Sequence, residues 1–213
     1  MMRIALNNDD MPFLVDSVSA AVAANGISVK RIIHPVLSVV RDDALALTDI
    51  SRKRVDGQAR ESFIYLETER VDAKERRQLE AHLAAVLADV RGAVTDWRDM
   101  LAALSADADS LPDSDGTALI RWFLDNNMTI LAHERISNDG ARSDRLGLSR
   151  VTDAPVLAED SVALAIKWFE DGGIAPLVLK SNRVSTVHRS VQLDLIVIPV
   201  KTGGPIKGLA VTA

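Results

Sequence analysis

The sequence predicts an α+β chain of two modules, each an antiparallel sheet carrying helices. Three observations lead there. Short runs of period-two alternation are interleaved with apolar stripes at helical spacing. A polar segment, Asp107 to Gly116 (DADSLPDSDG), has the composition of a linker. The length of 213 residues, against about 100–200 per domain, admits one large domain or two small ones.

Residues Arg3 to Asn7 read as a strand. Acidic Asp9-Asp10 before Pro12 marks a helix start. Phe13, Leu14, Val15, Val18, Ala21, Val22 and Ala24 then form an apolar stripe, and Asn25-Gly26 closes the helix. Ile27 to Arg41 predicts a long strand bent at Pro35. Asp42 to Arg60, charged and holding Gly57, reads as a loop or a ragged hairpin arm. Ser62 to Glu69 alternates as a strand. Asp72 starts a second helix, with Leu79, Leu83, Val86 and Leu87 on one face. Val90 to Trp97 then reads as a closing strand. The order strand, helix, strand, strand, helix, strand is the ferredoxin-like split β-α-β arrangement.

Arg98 to Ala106 reads as a connecting helix. Beyond the linker, Thr117 to Asn126 forms a helix with Leu119, Ile120, Trp122, Phe123 and Leu124 as its apolar set. Met128 to Ile136 is a strand, Ser137-Asn138-Asp139-Gly140 a turn, and Leu146-Gly147-Leu148 a short strand. Asp160 to Asp171 is a helix closed by Gly172-Gly173. Leu177 to Ser181, Ser185 to Val200 and Ile206 to Val211 are strands, the last two joined across Gly203-Gly204-Pro205. Both chain ends stop within apolar residues, which reads as a piece cut from a longer polypeptide.

Composition removes several function classes. The formal net charge is -5, and division at Ser110 leaves 14 basic against 18 acidic residues before it and 11 against 12 after. Neither half is the basic module that nucleic-acid binding requires. No cysteine is present, so disulfides, thiolate metal sites and a cysteine nucleophile drop out, and a reducing cytoplasm fits. No apolar run approaches the roughly 18 residues of a membrane-spanning helix, so no membrane partner is expected. GxGxxG, GxxxxGK[ST], HExxH and GxSxG are all missing. His34, His82, His133 and His188 are scattered, so no metal site is expected. Alternation along a strand would set Ser185 and His188 on opposite faces, which opposes a serine–base pair and leaves no residue with a catalytic role.

Two regions remain as binding candidates. The turn Asp10-Met11-Pro12-Phe13-Leu14 joins a strand to a helix N-terminus, where backbone N–H groups favour an anion. Its alternative reading is that Asp10 caps the helix. Lys180, Ser185, His188, Arg189 and Asp194 either line a polar pocket or form a solvated sheet face with cross-strand ion pairs.

Several blocks in fixed order carry a family resemblance: Asp10-Met11-Pro12-Phe13-Leu14-Val15-Asp16-Ser17-Val18, Ile33-His34-Pro35-Val36, Val40-Arg41-Asp42, Glu61-Ser62-Phe63-Ile64 and Asp96-Trp97-Arg98-Asp99-Met100. Arg121-Trp122-Phe123-Leu124, Lys180-Ser181 and Ser185-Thr186-Val187-His188-Arg189 continue the series. The chain resembles the N-terminal region of the large bacterial NAD-specific glutamate dehydrogenases. The resemblance implies an ACT-like domain over residues 1–98, a connecting helix and linker over 99–116, and a C-terminally truncated PAS-like domain over 117–213. It implies a non-catalytic regulatory and assembly piece of a cytoplasmic homo-oligomer whose catalytic domain lies far downstream. The whole enzyme would use NAD to convert glutamate to 2-oxoglutarate and ammonia; this piece would hold no cofactor. Its partners would be other domains of the parent chain and an amino-acid effector, the latter near Asp10 to Leu14 and Gly26. A small ligand would meet Lys180, His188 and Arg189. The alternative is a purely structural oligomerisation module. Two departures from the family pattern stand out. Phe13 occupies a strand–helix turn where amino-acid-binding ACT domains carry Gly, and Ala132-His133 replaces a Gly-Tyr pair.

Overall fold

The computed structural model describes residues 1–152, 154–201 and 204–213. Contacts divide the chain into Met1–Leu87 and Ala88–Ala213. Each unit is built on a five-stranded antiparallel sheet, giving the α+β class the alternation predicts.

The first unit runs β1 (Met2–Asp9), α1 (Leu14–Ala24), β2 (Val29–Ile33), β3 (Val36–Arg41), β4 (Leu47–Ser51), β5 (Ala59–Thr68) and the start of α2 (Ala73–Thr95). The sheet order is β1-β5-β3-β4, with β2 also on β5. β2 and β3 lie end to end along β5: Ile33 is opposite Tyr65, and Val36 opposite Ser62. They are one strand bent at Pro35, as the sequence predicts. β4 is the hairpin arm within 42–60 and pairs β3 from Ser38↔Ser51 to Arg41↔Leu47.

The inward row of the sheet includes Ile64 and Leu66, and α1 buries Leu14, Val18, Ala21 and Val22. Burying a leucine or isoleucine side chain contributes about 1.5–3 kcal/mol, so these residues dominate the unit's stability. α1 ends where the sequence predicts: Gly26 takes φ 72, and its N–H donates to Ala23. α2 opens with a reciprocal cap. Asp72 Oδ1 accepts from the N–H of Lys74 and Glu75 at 2.8 Å, and Glu75 Oε2 accepts from the Asp72 N–H at 3.0 Å.

The predicted closing strand at Val90–Trp97 is corrected: residues through Thr95 continue α2, and Trp97 opens α3. Leu79, Leu83, Val86, Val90 and Ala93 are all buried, at alternating spacings of four and three. That is one unbroken helical stripe. Gly92, a weak residue for a helix, is required by packing: a Cβ there would lie 2.2 Å from Val151 Cγ2.

The second unit contains α3 (Trp97–Asp109), α4 (Asp115–Trp122), a π-helical turn (Phe123–Asn127), β6 (Ala132–Ser137), β7 (Arg142–Gly147), α5 (Leu148–Val151), α6 (Glu159–Glu170), β8 (Leu177–Val184), β9 (Gln192–Lys201) and β10 (Ile206–Thr212). The sheet order is β7-β6-β10-β9-β8, antiparallel throughout. Met100, Leu104 and Ala108 of α3 pack with Ile120, Ile130, Ile196, Ile198 and Ala210 as its core.

Four further readings change at the level of elements. Residues 107–109, read as linker, finish α3. Met128 to Leu131 precede β6 rather than belong to it. Leu148 opens α5 instead of continuing a strand. Ser185 to Val191 form a turn, closed by the Ser185 N–H donating to Val191 at 2.8 Å, so β9 begins only at Gln192. Of the predicted Gly203-Gly204-Pro205 connection, Gly203 lies outside the described residues.

Candidate functional site

The strand–helix turn of the first unit is the first candidate. Asp10 is bound back onto β5: its N–H donates to Arg60 at 2.9 Å, and its Oδ1 accepts from Ser62 Oγ at 2.7 Å. Arg60 Nη2 lies 3.7 Å from the second carboxylate oxygen. Asp10 therefore does not cap α1. The N-cap position belongs to Phe13, which has φ 70 and no side-chain cap. A left-handed backbone at a bulky residue is strained by about 1–3 kcal/mol, which explains why glycine suits this turn. Leu14 is buried in the core, while Met11 and Phe13 are half-buried and Pro12 is exposed. Gly26 does not join them: it stands beyond the other end of the 11-residue α1, about 16 Å away by helix rise.

Beside this turn sits an ion pair that sequence reasoning missed. Arg41 donates from Nε to Glu61 Oε1 at 2.6 Å and from Nη2 to Oε2 at 2.8 Å. Asn7 Nδ2 adds a third bond at 2.8 Å. The Arg41 fork, helped by Asn7, holds the buried Glu61 carboxyl below its ordinary range. The residues were visible in the sequence blocks, but their pairing needs β3 and β5 side by side.

The second candidate separates into two parts. Lys180 Nζ is 2.5 Å from Asp194 Oδ1, and the two are cross-strand partners on β8 and β9. Both side chains are more than half exposed, so this is the solvated cross-strand ion pair, of which only Asp194 also borders a cleft. His188 and Arg189 lie in the turn before β9 and line a cleft of about 170 Å³ with Ser185, Gln192 and Asp194. That is below the roughly 300 Å³ at which small-molecule sites begin. Ser185 Oγ is occupied by the turn, donating to Val187 at 2.8 Å and accepting its N–H at 3.1 Å.

The second unit also buries polar groups that no sequence signal pointed to. His133 is 1% exposed, and its Nδ1 lies 3.0 Å from Thr212 Oγ1. Burial, reinforced by the nearby Arg135 charge, pushes its pKa down to about 4. Asp107 of α3 meets Arg135 Nη2 at 2.5 Å, and burial raises its pKa despite that partner. Glu134 pairs with Arg142, and its pKa too is raised by burial. Asp96 fastens the start of α3: it accepts from the Gly147 N–H at 2.8 Å and from Arg150 at 2.8 and 3.1 Å. Burial opposes its ionisation, but the Arg150 fork and the Gly147 N–H prevail and hold its carboxyl below the ordinary range. These are structural arrangements. Among the described residues no group of three or more His, Cys, Asp or Glu could hold a metal, and no helix is long and apolar enough to cross a membrane.

Comparison with known proteins decides the family. Residues 2–83 match the model of the family described as "Glutamate dehydrogenase, ACT1 domain". The first unit belongs to the glutamate dehydrogenase ACT1 family. The chain is also 32% identical over 220 residues, covering 89% of it, to the NAD-specific glutamate dehydrogenase of Pseudomonas aeruginosa. It is 34% identical over 145 residues, covering 62% of it, to the enzyme of the same name from Halomonas elongata. The chain spans only 13% and 9% of those relatives. The sequence resemblance thus holds, and the ACT1 domain accounts for the unit built on β1 to β5.

Proposed function

We propose that the chain is a non-catalytic regulatory and assembly module of a longer NAD-dependent glutamate dehydrogenase. The observation that carries this reading is the ACT1 match over residues 2–83, in a chain similar to NAD-specific glutamate dehydrogenases. On this reading the longer enzyme is a cytoplasmic homo-oligomer that binds NAD elsewhere and deaminates glutamate to 2-oxoglutarate and ammonia. The second unit serves as a PAS-like module, supported by its five-stranded antiparallel sheet with flanking helices. Control operates by differential effector affinity for two quaternary states.

The purely structural version of this role has one observation in its favour. At the strand–helix turn, Asp10 is already satisfied by Ser62, and Phe13 fills the position where an effector needs a bare backbone. A thermal-shift series with each common amino acid, read against buffer, separates the versions. An effector at about a hundred times its Kd adds roughly 2.7 kcal/mol and raises Tm. A flat series removes the effector and leaves assembly alone.

A further inference from the structure

We propose that the free edge of β1 and the cleft beside it receive an extended, acidic-ended apolar strand donated by a partner polypeptide. The inference goes beyond the regulatory and assembly reading, because it rests on the geometry of the first unit alone.

Among the described residues β1 pairs only with β5. That ladder runs without a shift from Met2↔Thr68 to Asp9↔Glu61, with no bulge and no proline. Proteins normally blunt such an edge with a bulge, a proline or charged side chains; here there is no bulge, proline or lysine, and the charges are Arg3 and Asp9 near the two ends. The phase of the ladder follows from Asp10, whose N–H donates to Arg60 at 2.9 Å. Antiparallel pairing alternates, so even-numbered β1 residues turn their backbone groups to β5. Arg3, Ala5 and Asn7 then direct their N–H and C=O away from it. The predicted fourth strand, which could have covered this edge, is instead the end of α2 and the start of α3.

Beside the edge lies a cleft of about 710 Å³. Ile4 and Leu6 of β1 and Leu79, Leu83 and Leu87 of α2 supply its apolar walls. Arg3 and Ala5, from the opposite face of β1, line it too, so the cleft extends around the strand's edge rather than lying over one face. Backbone donors and acceptors next to an apolar slot are the requirements for strand addition, in which main-chain bonds give affinity and alternate side chains fill pockets. Charge selects the occupant. Arg3, Arg70 and Arg76 border the cleft against Glu80 alone, so carboxylates on the incoming strand are favoured. A second copy of β1 would bring another α2 and another three arginines to the same rim.

The test uses the 213-residue chain and a short capped peptide that alternates valine with threonine between terminal aspartates. Saturable binding is expected by calorimetry. Amide exchange should slow at least about tenfold at Arg3, Ala5 and Asn7, and stay unchanged at Ile4 and Leu6, because only the outward N–H groups gain a partner. Ala5→Pro removes one outward N–H at an edge position that tolerates proline, and should weaken binding about tenfold. Arg76→Glu should weaken it several-fold without disturbing the ladder. The proposal is overturned by absence of saturable binding at millimolar peptide, by binding without protection of those three amides, or by equal affinity for the same peptide ended in lysines. It is also overturned if the chain sediments as a dimer that Ala5→Pro makes monomeric, which would assign the edge to a second copy.

Discussion

Acidification should destabilise the second unit through His133. The side chain is 1% exposed, bonded to Thr212 and close to Arg135, and its pKa falls to about 4 from 6.5. A base whose folded pKa is depressed is held neutral by the fold. As pH drops below 6.5, the unfolded chain takes up a proton that the folded chain refuses, and stability is lost until the folded pKa is reached. From pH 7.5 to 5.5 this linkage costs about 1.3 kcal/mol, close to a factor of ten in the folding constant. The raised pKa values of Asp107 and Glu134 act the other way, because there the folded state binds protons first, and they are shared by wild type and a His133 variant. The difference between the two proteins therefore isolates the His133 contribution. All three tryptophans, Trp97, Trp122 and Trp168, lie in the second unit, so their fluorescence reports its unfolding. Urea midpoints at pH 7.5, 6.5 and 5.5 for wild type and His133→Gln measure the effect. The wild-type midpoint should fall with pH and the variant's should stay nearly level. Parallel slopes for the two proteins would refute a buried neutral imidazole.

Three further outcomes follow from particular contacts. Gly147→Ala should destabilise the second unit by about 3 kcal/mol in urea titration, because φ is 59 and a Cβ would lie 2.2 Å from the Leu131 carbonyl oxygen. Asp96→Ala should cost about 1–3 kcal/mol by releasing the Gly147 N–H and the Arg150 fork, and Arg150→Ala on top should add much less than it does alone. Leu66→Ala, at 0% exposure, should cost the first unit about 2–5 kcal/mol, seen as earlier loss of far-ultraviolet ellipticity, with the tryptophan transition little changed.

Local chemistry was legible wherever it acts over a few residues. Asp72 with Glu75 announces the start of α2, Gly26 the end of α1, and Pro35 the bend between β2 and β3. The strand expected at Val90–Trp97 shows the limit. Val90, Ala93 and Val94 are apolar and read as a strand over a short window, and only the continuation of the stripe from Leu79 reveals the helix. Gly92 is there because Val151, 59 residues later, fills its space. The binding candidates divide the same way. Asp10 to Leu14 were recognisable as a strand–helix turn, but the role of Asp10 was set by Ser62, 52 residues away. Lys180 found Asp194 as the alternation allowed, whereas His188 and Arg189 were drawn into a turn by backbone bonds from Ser185 to Val191. Nothing adjacent to His133 announces its burial, since its partner Thr212 is 79 residues on.

The central claim, that this region governs assembly or control and performs no chemistry, is tested most directly on a full-length relative. Removing the residues that align with this chain from the Pseudomonas aeruginosa NAD-specific glutamate dehydrogenase, and measuring turnover per active site beside the oligomeric state, separates the roles. Turnover should persist while the oligomer or its response to effectors changes. Lost turnover in an enzyme that still assembles, or unchanged assembly and effector response with turnover intact, would contradict the claim.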